Sequence, residues 1–284
     1  MVGLPHRSHR TKKKIVPQMT NKSLSVILLT WNSGKDVEPC ISSILEATKE
    51  IQTEIIVVDN GSQDNTLQLL DAFKGSVTFH PLTENKGVAS ARNIGMRLSS
   101  NEVIWLLDID TIVNKEATEG MFHYITEHKE CGLCACKLTD AEGIPQESCR
   151  KLPWPKYKLM NLLATKKFLP KGFSQWINEK NERQFYHKEL SMESPFSAEY
   201  AIGACQMFRR EILDEIGFLD EKIFYGPEDA DFCQRIARTG KEITILPQFQ
   251  IIHHYNRASQ KKLLSAATYK HIKGLIHYYA KQIG

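Results

Sequence analysis

Asp108 and Asp110 stand one residue apart directly behind the apolar run Ile104-Trp105-Leu106-Leu107. Such a run is the signature of a strand buried on both faces of a parallel sheet, and open sheets bind ligands beyond the carboxyl ends of their strands. Two carboxylates a few ångströms apart repel unless a positive partner neutralises them. The chemistry suggested is a hard divalent cation, held by one or two carboxylates while substrate phosphates complete its shell. An Asp-x-Asp pair is common by chance in a chain of this length, and a capped strand-to-helix turn would use the same residues. Its place behind the strand is what favours the metal. A second acidic group, Gly226-Pro227-Glu228-Asp229-Ala230-Asp231, predicts a helix start with proline at the first helical position. Acids there answer the exposed amides and positive dipole end, which by itself accounts for all three.

The elements that must position these groups follow from periodicity. Leu24 to Leu29 and Glu54 to Asp59 read as buried strands, each followed by turn residues and then a helix: 36–49 with Val37, Ile41, Ile44 and Leu45, and 67–73 with Leu67, Leu69, Leu70 and Phe73. A short strand at 76–80, a helix from Val88 to Leu98, the strand 103–108, a helix near 115–128 and a strand at 132–138 continue the alternation. Strand and helix in turn predict an α/β chain with a mainly parallel sheet. Polar groups collect at the strand ends: Asn32, Asp59, Asn85, Asp108 and Asp110. Beyond the region 150–195 order returns with one strand over 201–208, a helix over 210–216, the helix opening near Pro227, and two strands, 242–246 and 249–252, the second ending on His253-His254. Lys261 to Gln282 is basic with apolar residues at helical spacing, which predicts a C-terminal amphipathic helix over 260–284.

Composition bounds the rest. The 284 residues are 42% hydrophobic and 25% charged with a net charge of +4, the mix of a soluble globular protein. No apolar run reaches the 18 residues a spanning helix needs. Residues 1–22 hold Arg7, Arg10, Lys12, Lys13, Lys14 and Lys22 without an apolar h-region, and read as a disordered basic tail rather than a signal peptide. No nucleic-acid partner is expected. Seven cysteines without framework spacing favour a reducing compartment. Cys131, Cys134 and Cys136 lack a second ligand pair at zinc spacing and read as small hydrophobes of a buried strand. The 150–197 segment mixes Trp154, Tyr157 and Trp176 with many lysines and reads as an acceptor-side insertion or lid.

Several stretches taken together resemble family 2 glycosyltransferases, especially their rhamnosyltransferase-like branch. These are Asp59-Asn-Gly-Ser-Gln-Asp-Asn-Thr66, Asn85-Lys-Gly-Val-Ala-Ser-Ala-Arg-Asn-Ile-Gly95, Leu107-Asp-Ile-Asp110, Gly217-Phe-Leu-Asp-Glu-Lys-Ile-Phe-Tyr-Gly-Pro-Glu-Asp-Ala-Asp231 and His253. The resemblance covers residues 24–259 and implies a GT-A glycosyltransferase domain over 23–259, a Rossmann-like mixed, mainly parallel sheet flanked by helices. It implies that Thr30, Asn32 and Asp59 contact the base and ribose of a nucleotide-sugar donor, with Arg92 near. It makes Asp108 and Asp110 the ligands of Mn2+ or Mg2+, with His253 completing the shell and His254 as the alternative. Gly203 and Ala204 resemble the loop under the donor sugar, Glu228 is placed at the donor, and Asp229 corresponds to the general base. The implied activity is inverting transfer of a hexosyl group from a UDP, GDP or dTDP sugar to a hydroxyl of a saccharide or lipid-linked glycan, in cell-surface polysaccharide or cell-wall synthesis. The implied place is the cytoplasm, with peripheral contact at the inner membrane face.

Three rivals are weaker. A haloacid dehalogenase-type phosphatase wants Thr or Val two residues past the second Asp, where Ile112 stands. Nucleotidyl transfer on a related fold wants a glycine-rich, lysine-bearing loop near the amino end, and none is found. A non-catalytic nucleotide-sugar-binding module on the same fold would be expected to lose the base or a metal ligand, and this chain keeps both.

Overall fold

The computed structural model describes residues 22–153, 184–255 and 266–283, with Pro155, Gly172 and Glu179 singly between them. The amino-terminal half alternates strand and helix: β1 (Leu24–Thr30), α1 (Gly34–Ala47), β2 (Thr53–Asp59), α2 (Thr66–Leu70) and β3 (Thr78–Pro81). It continues through α3 (Val88–Leu98), β4 (Val103–Asp108), the short β5 (Thr111–Ile112), α4 (Lys115–Glu127) and β6 (Cys131–Thr139). The carboxyl half adds β7 (Cys149–Arg150), α5 (His187–Leu190), β8 (Phe196–Ser197), β9 (Tyr200–Ala201), β10 (Cys205–Arg209), α6 (Glu211–Ile216), α7 (Glu228–Arg238), β11 (Glu242–His253) and α8 (Ala266–Ile283).

One large sheet runs β3-β2-β1-β4-β10-β6-β11-β5, with β8 against β11. The first four strands are parallel, β10 is antiparallel to both neighbours, and β6 and β11 are parallel. The sheet is thus mixed and mainly parallel. Both faces are covered. Helices α1 and α4 pack with Trp105, Leu107 and Met207 on one side, and α7 residues Phe232 and Ile236 pack with Ile104, Leu106 and Phe208 on the other. Gly95 lets α3 lie close on β1: a Cβ there would stand 2.4 Å from Ile27 Cγ2. The buried run of β4 and the capping of α4 by the Asn114 side chain, which accepts from Ala117 N, put the Asp108–Asp110 turn at the carboxyl edge of the sheet.

Four sequence expectations change. The strand over 201–208 is broken, because Ile202 to Ala204 turn between β9 and β10. The two strands expected between 242 and 252 are one strand, β11, with a register shift between Leu246 and Gln250. Pro247 lies in that shift, and without an N–H it cannot donate to the ladder. Helix α7 begins at Glu228, so Pro227 is its N-cap rather than its first residue. Lys22 does not belong to a free tail, since its Nζ donates to the Thr126 carbonyl at 2.9 Å. Residues 1–21 and most of 154–183 lie outside the described residues, and with them most of the basic tail and the core of the insertion. The seven cysteines are buried and unbonded, as small hydrophobes are.

Candidate active site

Strand register gathers the site from four strands. Thr30 stands opposite Asp59 across β1 and β2, and Leu29, one residue before it, stands opposite Asp108 on β4. Thr30, Asp59 and the acidic pair therefore share one edge of the sheet. Asp59 is fully buried and accepts from Ser62 N at 3.0 Å and Ser62 Oγ at 2.5 Å. Asn32 takes a left-handed φ of 52°, a conformation asparagine tolerates. Its Oδ1 accepts from Gln63 N at 2.7 Å, and its own N donates to Ser62 Oγ at 2.8 Å. The loops after β1 and β2 are thereby tied into one rigid rim. Thr30 Oγ1 is buried and has no hydrogen-bond partner among the described residues, which leaves it open to a ligand or water.

Asp108, Asp110 and His253 each offer an atom within 4.8 Å of the others. His253 is 3% exposed and offers a ring nitrogen to the group, whereas His254 is exposed, lines the neighbouring cleft, and donates its backbone N to the Asp110 carbonyl at 2.7 Å. His253 is thus the histidine of the group. Gln146 orients it: Gln146 Nε2 donates to the His253 carbonyl at 2.7 Å, so its Oε1, 2.8 Å from Nδ1, must accept from the ring. Nε2 is left facing Asp110 Oδ1 at 3.3 Å. A bare imidazole nitrogen and a carboxylate oxygen are both acceptors, so this approach needs positive charge between them, a proton or a metal. Burial alone would lower the His253 pKa, but the Asp110 hydrogen bond and the charges of Asp110 and Asp108 outweigh it and raise it. Two carboxylates and an imidazole held by a second-layer amide fit a divalent metal of the Mn2+ or Mg2+ kind. A cleft of about 490 Å³ opens beside the group; Asp110, His253, Lys35 and Asp36 line it, but Asp59, Arg92 and Asp229 do not.

Arg92 on α3 joins the acidic pair to the other half. It is 3% exposed, and its Nη2 donates to Asp108 Oδ1 at 2.5 Å and to the Gly203 carbonyl at 2.7 Å. Gly203 N in turn donates to Asp229 Oδ2 at 3.2 Å. Ala204 is drawn in as well, because its carbonyl accepts from Asp108 N at 3.1 Å. The path Asp108–Arg92–Gly203–Asp229 exists because the chain breaks between β9 and β10, which frees both polar groups of Gly203 to turn inward. Asp229 is half-buried at the start of α7, its other oxygen accepting from Ala230 N at 2.7 Å. Glu228 does not face outward beside it. It is 6% exposed, accepts from Gly226 N at 2.5 Å, and is pushed up to about 7 by burial and then by the charge of Asp229.

Of the expected residues, Thr30, Asp59 and Asp108 lie at the strand ends, Arg92 on α3, Gly203 and Ala204 in the turn before β10, His253 at the end of β11, and Glu228 and Asp229 at the start of α7. Sequence reasoning missed Gln146, which no local pattern distinguishes within the 140–148 loop. It also missed Asn60, which clips two loops together: its Oδ1 accepts from Lys86 N at 2.8 Å, and its Nδ2 donates to Asn85 Oδ1 at 3.2 Å.

A mixed, mainly parallel sheet flanked by helices, with an acidic pair at the end of its fourth strand, is the GT-A fold of glycosyltransferases. The mannosyltransferase PcManGT from Pyrobaculum calidifontis, solved in complex with GDP-Man and Mn2+, superposes with a TM-score of 0.59 over 92% of this chain and 64% of that one, at 19% identity. The chain belongs to glycosyl transferase family 2, whose family model matches residues 25–217. It is similar to the poly(ribitol-phosphate) β-N-acetylglucosaminyltransferase TarP of Staphylococcus aureus, 38% identical over 111 residues that make up 38% of this chain and 34% of TarP. It is also similar to the low-salt glycan biosynthesis hexosyltransferase Agl10 of Haloferax volcanii, 24% identical over 84% of this chain and 69% of Agl10. The match thus spans about a third of TarP and about two thirds of Agl10.

Proposed function

We propose that the protein is an inverting, metal-dependent glycosyltransferase that moves a sugar from a nucleoside diphosphate sugar to a hydroxyl of a glycan or lipid-linked glycan in cell-surface polysaccharide synthesis. The observation that carries this reading is the bonded path from Asp108 through Arg92 and Gly203 to Asp229. It ties the residues suited to a leaving diphosphate to the carboxylate suited to an incoming alcohol.

Thr30, Asn32 and Asp59 would receive the base and ribose, with the unpartnered Thr30 hydroxyl available to them. Gly203 and Ala204 would floor the donor sugar, and Arg92 would hold Asp108 in place beneath it. Asp108, Asp110 and His253 would hold a divalent metal, which when bound supplies Lewis-acid neutralisation of the leaving diphosphate. Asp229 would accept the proton of the acceptor hydroxyl as its oxygen bonds to the anomeric carbon and the bond to the diphosphate breaks. One displacement by one base inverts the anomeric centre. Agl10, a glycan biosynthesis hexosyltransferase, supports a glycan acceptor, and TarP, which acts on poly(ribitol-phosphate), supports a hydroxyl-bearing polymer as acceptor. PcManGT, solved with GDP-Man and Mn2+, supports a nucleotide-sugar donor with a metal. Action at the cytoplasmic face of a membrane, where lipid-linked acceptors are reached, belongs to the same reading.

Calorimetry with UDP, GDP and dTDP sugars, with Mn2+ and with chelator, tests it. One donor family should bind with the metal and lose affinity with chelator or in Asp110→Ala. Equal affinity in all three conditions defeats the metal assignment.

A further inference from the structure

Among the described residues, helix α8 is anchored on one side and exposed on the other. Its inner side carries buried Gly274 and Tyr278. A Cβ at Gly274 would stand 2.8 Å from the Gly226 carbonyl, so the helix lies directly on the loop before α7. Lys281 Nζ bridges Asp220 Oδ2 at 2.9 Å and Asp231 Oδ1 at 2.6 Å, and His277 Nε2 lies 2.9 Å from Asp220 Oδ2. Lys270 Nζ sits 3.5 Å from the centre of the Phe224 ring. These contacts fix the rotation of the helix.

At about 100° per residue the face opposite Gly274 and Tyr278 gathers Tyr269, Ile272, Ile276 and Ala280, with Lys273 among them. Tyr269 is 71% exposed, Ile272 49% and Ile276 64%. A helix docked by one face ordinarily turns polar residues outward. Single exposed apolar side chains need no explanation, but a stripe over two turns marks an interaction surface.

Charge selects the occupant. From 256 to 284 the sequence carries Arg257, Lys261, Lys262, Lys270, Lys273 and Lys281 and no Asp or Glu. A two-fold contact centred on this face would bring Lys273 against its own copy, and like-charge juxtaposition opposes association. An anionic lipid surface accepts both parts of the face, the apolar side chains at the headgroup boundary and Lys273 at the phosphates. No described helix is long and apolar enough to cross a membrane, so the contact is interfacial. We propose that the outer face of α8 docks on an anionic lipid surface through Tyr269, Ile272 and Ile276, with Lys273 at the headgroups. The inference deepens the membrane-face part of the proposed function, on which it rests, by naming the surface that makes the contact, and it does not depend on which donor is used.

The test is co-sedimentation of the full chain with vesicles of phosphatidylcholine containing phosphatidylglycerol, and with phosphatidylcholine alone. The wild-type chain should partition to the anionic vesicles, less so as salt rises. Ile272→Glu/Ile276→Glu, with thermal melting as the check on folding, should lower partitioning about tenfold or more. Lys273→Glu, at an exposed position, should lower it about fivefold or more at about 1 kcal/mol per charge near the surface. Asp229→Asn should bind vesicles like the wild type, so failure of the catalytic reading leaves this measurement intact. Wild-type binding to neither vesicle, or equal binding by the α8 variants, overturns the proposal. Concentration-dependent self-association that Ile272→Glu/Ile276→Glu abolishes would make the face a contact between copies instead.

Discussion

Replacing Gly203 with alanine probes the junction between the two halves of the site. The added Cβ would stand 2.2 Å from Arg92 Nη1, 3.1 Å from Cζ and 3.2 Å from Nη2. A flexible arm could swing aside at little cost, but Arg92 is 3% exposed and its Nη2 is held by both Asp108 and the Gly203 carbonyl. Gly203 does not occupy the left-handed region, so alanine adds no backbone strain of its own. The penalty is then overpacking, about 1–3 kcal/mol, joined by loss of part of a charge-assisted pair worth about 1.5–3 kcal/mol. Arg92→Met alone should cost a comparable amount, since it leaves Asp108 and the Gly203 carbonyl without their donor. In the double variant the clash has no partner, so the penalties should fall short of their sum by about 1–2 kcal/mol. Denaturant melts of the four proteins measure the cycle. Penalties that add to within about 0.5 kcal/mol would refute the contact between the guanidinium and Gly203.

Other expectations follow from the same contacts. Gln146→Ala should weaken metal affinity about 10–100-fold in calorimetry with Mn2+ while leaving the fold intact, because it removes the group that turns His253 Nε2 toward Asp110. Glu228, raised from 4.5 to about 7, favours the folded state below about pH 4.5, and that contribution is lost as pH rises through about 7. Glu228→Gln should therefore gain stability relative to wild type between pH 5 and 8, on the order of 3 kcal/mol; melting curves showing a pH-independent difference would contradict the buried carboxyl. Burial opposes the charge of Asp220, but hydrogen bonds from Lys281 and His277 outweigh it and hold its pKa down at about 2. Its contribution is full above the ordinary carboxylate range and lost as pH falls through about 2, so Lys281→Met should flatten the acid limb of the stability profile.

Much of this arrangement was legible because its elements are strongly patterned. The strand ending at Asp108 is an unbroken apolar run, and α3 begins and ends where its periodicity does, at Val88 and Leu98. Motif order carried the acidic pair, His253 and Asp229. What stayed hidden depends on contacts between distant residues. Ala201 to Phe208 is apolar but for Gln206 and reads as one strand, so periodicity hid the turn at Gly203 that faces Arg92 and Asp229, and only motif resemblance marked Gly203 and Ala204 as a loop. Pro247 made one long strand look like two. The choice between His253 and His254 was decided by burial, and the role of Gln146 by a loop that crosses more than a hundred residues to meet β11. Helix α8 could be recognised as amphipathic, but which side was docked could not be read until Gly274 was seen against Gly226.

The most direct test of the mechanism is single-turnover glycosyl transfer by Asp229→Asn, measured alongside donor affinity in the same protein. The amide keeps the size of the side chain and a carbonyl oxygen to accept from Gly203 N, but it is not a base. Turnover should fall about 10²-fold or more while metal-dependent donor binding holds. Unchanged turnover would take Asp229 out of the chemistry, and loss of donor binding in step with turnover would assign it to the donor platform instead.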